Sequence, residues 1–290
     1  MEYVLHLIIL ICFYTSLSQS LNLTAGKTGM ISLAQAGFYG IGAYSAALLS
    51  LNFNLAFWIT MPIAILICGL VALLISIAAL RTVDDYFIIC TIGIQVIIFS
   101  LMNNWTELTK GPLGLSGIPP ITFLGFSFSS KLSFLLLAIF FMAITWSLLS
   151  NISASGFGRI LVAISEDEIY TQSLGKNINR SKTIAFTLSA MLAAIPGVLY
   201  AHYISYISPT GFTINESIFI LSIIIIGGTG NLKGSFLASI FMILLPEILR
   251  FVGMPDSIAP NMRQIIYGLL LTILMLTGKN GLGELFKKNS

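Results

Sequence analysis

Long apolar stretches dominate the chain, and their lengths predict its elements. No Asp, Glu, Lys or Arg interrupts residues 3–26, 28–80, 86–106, 132–158 or 183–215. Each run reaches the ~20 residues that a helix needs to cross a bilayer. The runs lack apolar–polar alternation, and backbone groups in lipid must be paired within the protein, so helices are expected and a barrel is not. Apolar periodicity places them near residues 4–19, 31–51, 57–80, 86–102, 132–149, 184–207, 217–227, 236–252 and 264–276. The fold class that follows is all-α: a polytopic integral membrane helical bundle of about 8–9 transmembrane segments. Residues 1–290 then form a single transmembrane domain.

Two regions depart from this pattern. Residues 22–51 span about 30 positions, ~45 Å as one helix, but Gly26, Gly29, Gly37, Gly40 and Gly42 interrupt them. A broken or re-entrant glycine-rich segment is expected there, with backbone groups open to a polar solute or small residues packed between helices. The other region is a polar island, residues 156–182, GFGRILVAISEDEIYTQSLGKNINRSK. Within it, Ser165 and Glu168 form an S-x-x-E capping box and Gly175 stands where a helix would end. A short helix is expected from Glu166 to Leu174, its acidic first turn matching the helix dipole, with Ile169, Tyr170, Ser173 and Leu174 on one side.

Composition agrees with a membrane solvent, with 57% hydrophobic and 9% charged residues. The net charge of +3 gives no reason to expect a nucleic-acid partner, and the lipid bilayer is the partner that the composition demands. The placement of the charges carries more. Lys279, Lys287 and Lys288 in the tail, with Arg159, Lys176, Arg180 and Lys182 in the island, put both in the cytoplasm. Counting back from the island places residues 109–120 outside, 81–85 inside, 51–56 outside and Lys27 inside. A re-entrant element after Lys27 would turn the N-terminus inward, which is the expected arrangement. Residues 3–20 resemble a signal peptide, but Glu2 stands where a basic region is usual, so an uncleaved first span is expected.

Candidate chemistry is sparse. Cys12, Cys68 and Cys90 all lie in apolar segments and read as buried thiols. His6 and His202 lack metal-ligand spacing to an Asp, Glu or Cys, so neither a metal nor any other cofactor is expected. Gly26, Lys27 and Thr28 spell the end of a phosphate-binding loop, but Leu21 occupies the place of its first glycine. The chain therefore carries no ATPase site of its own and reads as a transport component, not an enzyme. A membrane-embedded transferase would need clustered His, Asp or Arg at one face, and none is visible. Glu216 and Glu247 read as groups anchored or paired near helix ends.

Several ordered blocks resemble the permease subunits of ATP-binding-cassette importers for branched-chain amino acids. GMISLAQAGFYGIGAYSAAL (29–48) is similar to that family's G-Q-x-S-L-G-H-A-x-F-x-G-I-G-A-Y block. TKGPLGLSGIP (109–119) resembles its T-G-G-x-x-G-L-x-G-I-P loop, and GRILVAISEDEIYTQSLG resembles its G-R-x-x-x-A-I-R-E-D-E-x-A-A-x-x-x-G block. IGGTGNLKG (226–234) resembles its G-G-x-G-x-x-x-G turn. Ala34 and Gln35 replace the usual Gly-His, Ser165 a basic residue, and Tyr170 and Thr171 a pair of alanines.

The resemblance implies a permease driven by two separate ATPase subunits. It also implies a second permease subunit completing a hetero-dimer, and a periplasmic or lipid-anchored solute-binding protein that meets residues 109–120. Location in a bacterial cytoplasmic (inner) membrane follows. It assigns ATPase coupling to Glu166, Asp167, Glu168 and Gly175 in the loop 156–182, with Gly158 and Arg159 shaping the approach to them. A substrate path is implied along Gly29, Ser32, Gln35, Gly37, Gly40, Gly42, Gly227, Gly228 and Gly230. The competing readings are a urea or short-chain amide importer of the same architecture, and a secondary carrier or channel without an ATPase.

Overall fold

The computed structural model describes residues 2–82, 85–123, 126–128, 130–251, 268–269 and 272. Helix α1 (Glu2–Ala25) is continuous and leads into a segment without regular structure, residues 29–34. Then come α2 (Gln35–Phe53), α3 (Phe57–Ala79), α4 (Asp85–Asn104) and the single turn α5 (Thr106–Thr109). A 3-10 turn at Gly111–Leu113 precedes three two-residue strands, β1 (Leu115–Ser116), β2 (Thr122–Phe123) and β3 (Phe126–Ser127). Helix α6 (Lys131–Ala154) follows, with α7 (Gly156–Glu166) and α8 (Glu168–Ser173) in the island, then the long α9 (Ile178–Ile204). Strand β4 (Tyr206–Ile207) and a second 3-10 turn (Pro209–Gly211) lead to α10 (Ile214–Gly227) and α11 (Leu232–Phe251).

Six helical stretches are long and apolar enough to cross a membrane, beginning at Glu2, Phe57, Tyr86, Lys131, Ile178 and Pro209. The larger expected number also included α2, α11 and residues 264–276. Helices α2 and α11 are formed, whereas residues 252–267, the rest of 264–276 except 268, 269 and 272, and the tail lysines lie outside the described residues.

Close packing of small residues holds the bundle centre, where α2 meets α9 and α3. A Cβ on Gly42 would lie 2.6 Å from the Ala194 Cα, and one on Gly69 would lie 2.9 Å from Met191 Cγ. Such approach lets helices attract each other by van der Waals contact where lipid offers no hydrophobic driving force. The buried Phe38 and Phe186 fill the remaining space edge to face at 5.5 Å. Cys12 and Cys68 are buried free thiols and Cys90 is partly buried.

The two ends of the bundle are distinct. At one end Leu115 pairs with Ile207 in an antiparallel β1–β4 ladder, and His202 Nδ1 meets the Pro119 carbonyl at 2.8 Å. Glu2 pairs with Lys131 at that same end, 2.9 Å apart. The island, residues 26–30, the C-terminus of α3 and the α10–α11 turn gather at the other end. The N-terminus of α1 thus lies opposite the island, which corrects the inward orientation expected from the sequence. The break falls where it was expected, at residues 26–34, but the chain does not turn back there: Gly29 lies beside Ser165 of the island, and α2 runs on to bring Leu48 and Leu51 beside Leu115 at the other end.

Candidate functional site

The island forms two helices at a sharp corner. Ser155 closes α6 and caps α7, its Oγ accepting from the Gly158 amide at 3.3 Å. Gly158 is buried against the carbonyls of Ile152 and Ser153, leaving no room for a Cβ. Leu161 and Ile164 turn inward and anchor α7, while Arg159 points to solvent. The chain then breaks at Asp167, whose backbone is extended, and Asp167 Oδ1 accepts from the Tyr170 amide at 2.9 Å.

This corrects the expected capping box. Ser165 belongs to the last turn of α7, where its Oγ donates to the Val162 carbonyl at 2.7 Å. Helix α8 therefore starts two residues later than expected, because Asp167 is the stronger cap once α7 continues through Glu166. Glu168 pairs with Lys182 of α9 instead of reaching back to cap. Thr171 is buried beneath α8, whereas Ile169 (79%), Tyr170 (64%) and Leu174 (60%) are exposed. Glu166 and Asp167 are exposed beside them. Gly175 ends the element with φ +77°, a left-handed conformation that suits glycine, and open space surrounds it. What results is a short acidic helix with an uncovered apolar side, tied by the Glu168–Lys182 ion pair to the long α9, whose own start is capped by Asn177 accepting from the Arg180 amide at 3.0 Å.

The glycine-rich residues divide into three groups. Gly29, with φ +73°, faces the island: a Cβ there would lie 3.6 Å from Ser165 Cβ. Around them lies a hollow of about 540 Å³ also lined by Leu80, Phe87 and Ile169.

Ser32, Gln35 and Gly37 belong to a buried polar network at the start of α2. Gln35 Nε2 donates to Ser20 Oγ at 2.7 Å, the Gly37 amide to Gln95 Oε1 at 2.6 Å, and the Ala36 amide to Ser217 Oγ at 3.0 Å. Gln95 Nε2 in turn donates to the Phe212 carbonyl at 2.8 Å. These bonds satisfy amides that a helix start leaves without intrahelical partners. Because Gln95 lies midway along α4 and Cys68, midway along α3, contacts the Phe38 carbonyl, α2 begins at mid-depth. Gly40 and Gly42 further along α2 are packing positions, against Phe212 and Ala194.

The third group, Gly227, Gly228 and Gly230, forms the tight α10–α11 turn. Gly228 (φ +88°) and Gly230 (φ +83°) are left-handed, and Gly227 lies against the Gly234 backbone. Asn22 pins the turn to α1: its Oδ1 accepts from the Gly230 amide at 2.7 Å and its Nδ2 donates to Ser235 Oγ at 3.1 Å.

Sequence reasoning missed Asn22, Gln95, Ser20 and Ser217. The signal was present for Gln95, an amide alone within YFIICTIGIQVIIF, since a buried amide in lipid must find partners. His6 and His202, far apart in sequence, line one hollow at the opposite end. No cluster of three or more His, Cys, Asp or Glu suited to a metal occurs among the described residues.

An all-helical membrane bundle with a mid-depth helix start and a solvent-facing pair of short helices defines a polytopic transport-type membrane protein. The chain belongs to the family described as "Branched-chain amino acid transport system / permease component", which it matches over residues 3–275. It is 32% identical to the high-affinity branched-chain amino acid transport system permease protein LivM of Escherichia coli, over 93% of this chain and 67% of that protein. It is 30% identical to the autoinducer 2 import system permease protein LsrC of Klebsiella pneumoniae, over 66% of this chain and 55% of that protein. The guanosine ABC transporter permease protein NupQ of Bacillus subtilis is 24% identical, over 91% of this chain and 87% of its own length. No solved structure matches the chain.

Proposed function

We propose that this chain is the permease subunit of an ATP-binding-cassette importer carrying branched-chain amino acids across a bacterial inner membrane into the cytoplasm. The observation that carries this reading is the family match over residues 3–275, joined to 32% identity with a branched-chain amino acid permease over nearly the whole chain. The relatives named for an autoinducer and for guanosine are less similar and are matched over less of the chain.

On this reading α2 and α11 also cross the membrane, beside the six apolar spans. Residues 26–34 act as the broken element, ending in the mid-depth start of α2. Two separate ATPase subunits power the cycle and dock on the island. Glu166, Asp167, Glu168 and Gly175 form the coupling contact, supported by Gly158 and Arg159. A second permease subunit completes the path, which runs past Ser32, Gln35 and Gly37. A solute-binding protein delivers substrate at the opposite end.

Alternating access follows from this arrangement. ATP shifts the equilibrium only through different affinities for the two conformations. The island can report that difference because Glu168 joins it to α9 through Lys182, and Gly29 joins it to the segment preceding α2. Affinity purification of the tagged chain from mild detergent tests the coupling role. The intact chain is expected to bring down ATPase subunits and a second permease, and Glu166→Lys to lose the ATPases while still inserting in the membrane. Equal ATPase recovery with both chains would remove Glu166 from the contact.

A further inference from the structure

Glu216 sits in the first turn of α10, within a stretch that otherwise reads as transmembrane. The Tyr14 hydroxyl, near the middle of α1, donates to Glu216 Oε1. Its neighbour Ser217 bonds the start of α2 and lies 3.5 Å from Gln95, so the carboxylate stands at the depth of the central polar network and not at a helix end near water. Among the described residues no cation pairs with it. The two ion pairs among the described residues are Lys131–Glu2 and Lys182–Glu168, at opposite ends of the bundle. An acidic group in this position is costly unless something of opposite charge meets it.

Its surroundings are aromatic. Phe219 lies edge-on to Tyr14 at 5.1 Å, and the buried Tyr39 lies 5.6 Å from Tyr200. Phe212 closes that wall at 5.1 Å from Tyr39. Aromatic faces attract an ammonium ion and also accept an aliphatic side chain. Tyr39 and Phe212 are buried, whereas Glu216, Tyr14 and Phe219 are only partly buried and Asn215 and Ile218 beside them are exposed, so the carboxylate end of this cluster is the accessible one.

We propose that Glu216, held by Tyr14, receives the protonated amino group of the amino acid as it crosses the membrane, with the partly exposed rings of Tyr14 and Phe219 facing its aliphatic side chain. The assignment rests on the importer reading above and names the group on this subunit that handles the substrate's positive charge. A zwitterion needs such a partner in the membrane interior, and a carboxylate that no cation meets among the described residues can take the ammonium and release it again. Urea and simple amides carry no charge and would have no use for it.

The test uses the complete importer with its ATPases, second permease and binding protein in proteoliposomes, measuring L-leucine accumulated per ATP hydrolysed. Glu216→Gln keeps the size and the acceptor for Tyr14 but removes the charge, and is expected to lower that ratio at least tenfold while the complex assembles and hydrolyses ATP. Glu216→Asp keeps the charge and should retain a substantial fraction of the ratio. A normal ratio for Glu216→Gln would overturn the proposal, as would loss of the second permease from the Glu216→Gln complex with retention in Glu216→Asp, which marks an assembly ion pair. If the unaltered importer takes up another solute and no leucine, the importer's substrate reading fails first, and the two failures are distinguishable.

Discussion

Gly42 and Gly175 are both glycines for reasons that a substitution can separate. At Gly42 the constraint is space, since a Cβ would lie 2.6 Å from the Ala194 Cα and 2.7 Å from its carbonyl oxygen. Gly42→Val should push α2 from α9 and destabilise the bundle by about 1–3 kcal/mol, read as an earlier thermal unfolding in detergent. At Gly175 nothing lies within 4 Å of a Cβ and the constraint is φ +77°. Gly175→Ala should cost about 1–2 kcal/mol in the loop alone. Global unfolding should stay unchanged while uptake falls, and Gly175→Asn, which tolerates the left-handed region, should recover most of it.

Among the elements, the α10–α11 turn depends on a residue in a different helix. Asn22 supplies both a donor and an acceptor there, and removing it leaves the Gly230 amide without its partner. Asn22→Ala should therefore cost about 1–3 kcal/mol, with faster amide exchange at residues 228–231 and little change at the β1–β4 end. Uniform destabilisation would mean that the turn is not a separate unit. The helices were legible in the sequence because each apolar run is as long as a bilayer is thick. The corner in the island was harder to read. Ser165 and Asp167 both offer caps with helix formers after them, and the choice depends on Leu161 and Ile164 being buried, which holds α7 helical through Glu166. The orientation of α1 was misread because glycines at 26 and 29 mark a break without saying whether the chain turns back there or runs on to the other end. The coupling and path residues came from a resemblance of blocks, and the structure distributes them differently: Gly29 goes to the island, Gly42 to packing, and Gln35 and Gly37 to a network completed by Gln95 and Ser217.

At the scale of the whole molecule, the mid-depth polar network and the island are linked by short connections. One runs from Gly29 through residues 30–34 to α2, and another from Glu168 through Lys182 along α9, which packs against α2 at Gly42. In the proposed cycle, a tilt of the island would pass along these connections to the helix whose first turn is held by Gln95 and Ser217. The central claim is that this chain, with its ATPases, carries branched-chain amino acids inward. It is tested most directly by co-reconstituting the chain with its ATPases, second permease and binding protein in liposomes and measuring uptake of radiolabelled L-leucine against urea, with and without ATP. The account predicts leucine accumulation that requires ATP and is lost with Gly175→Asp. Uptake of urea in preference to leucine, or leucine uptake driven by an ion gradient in the absence of ATP, would contradict it.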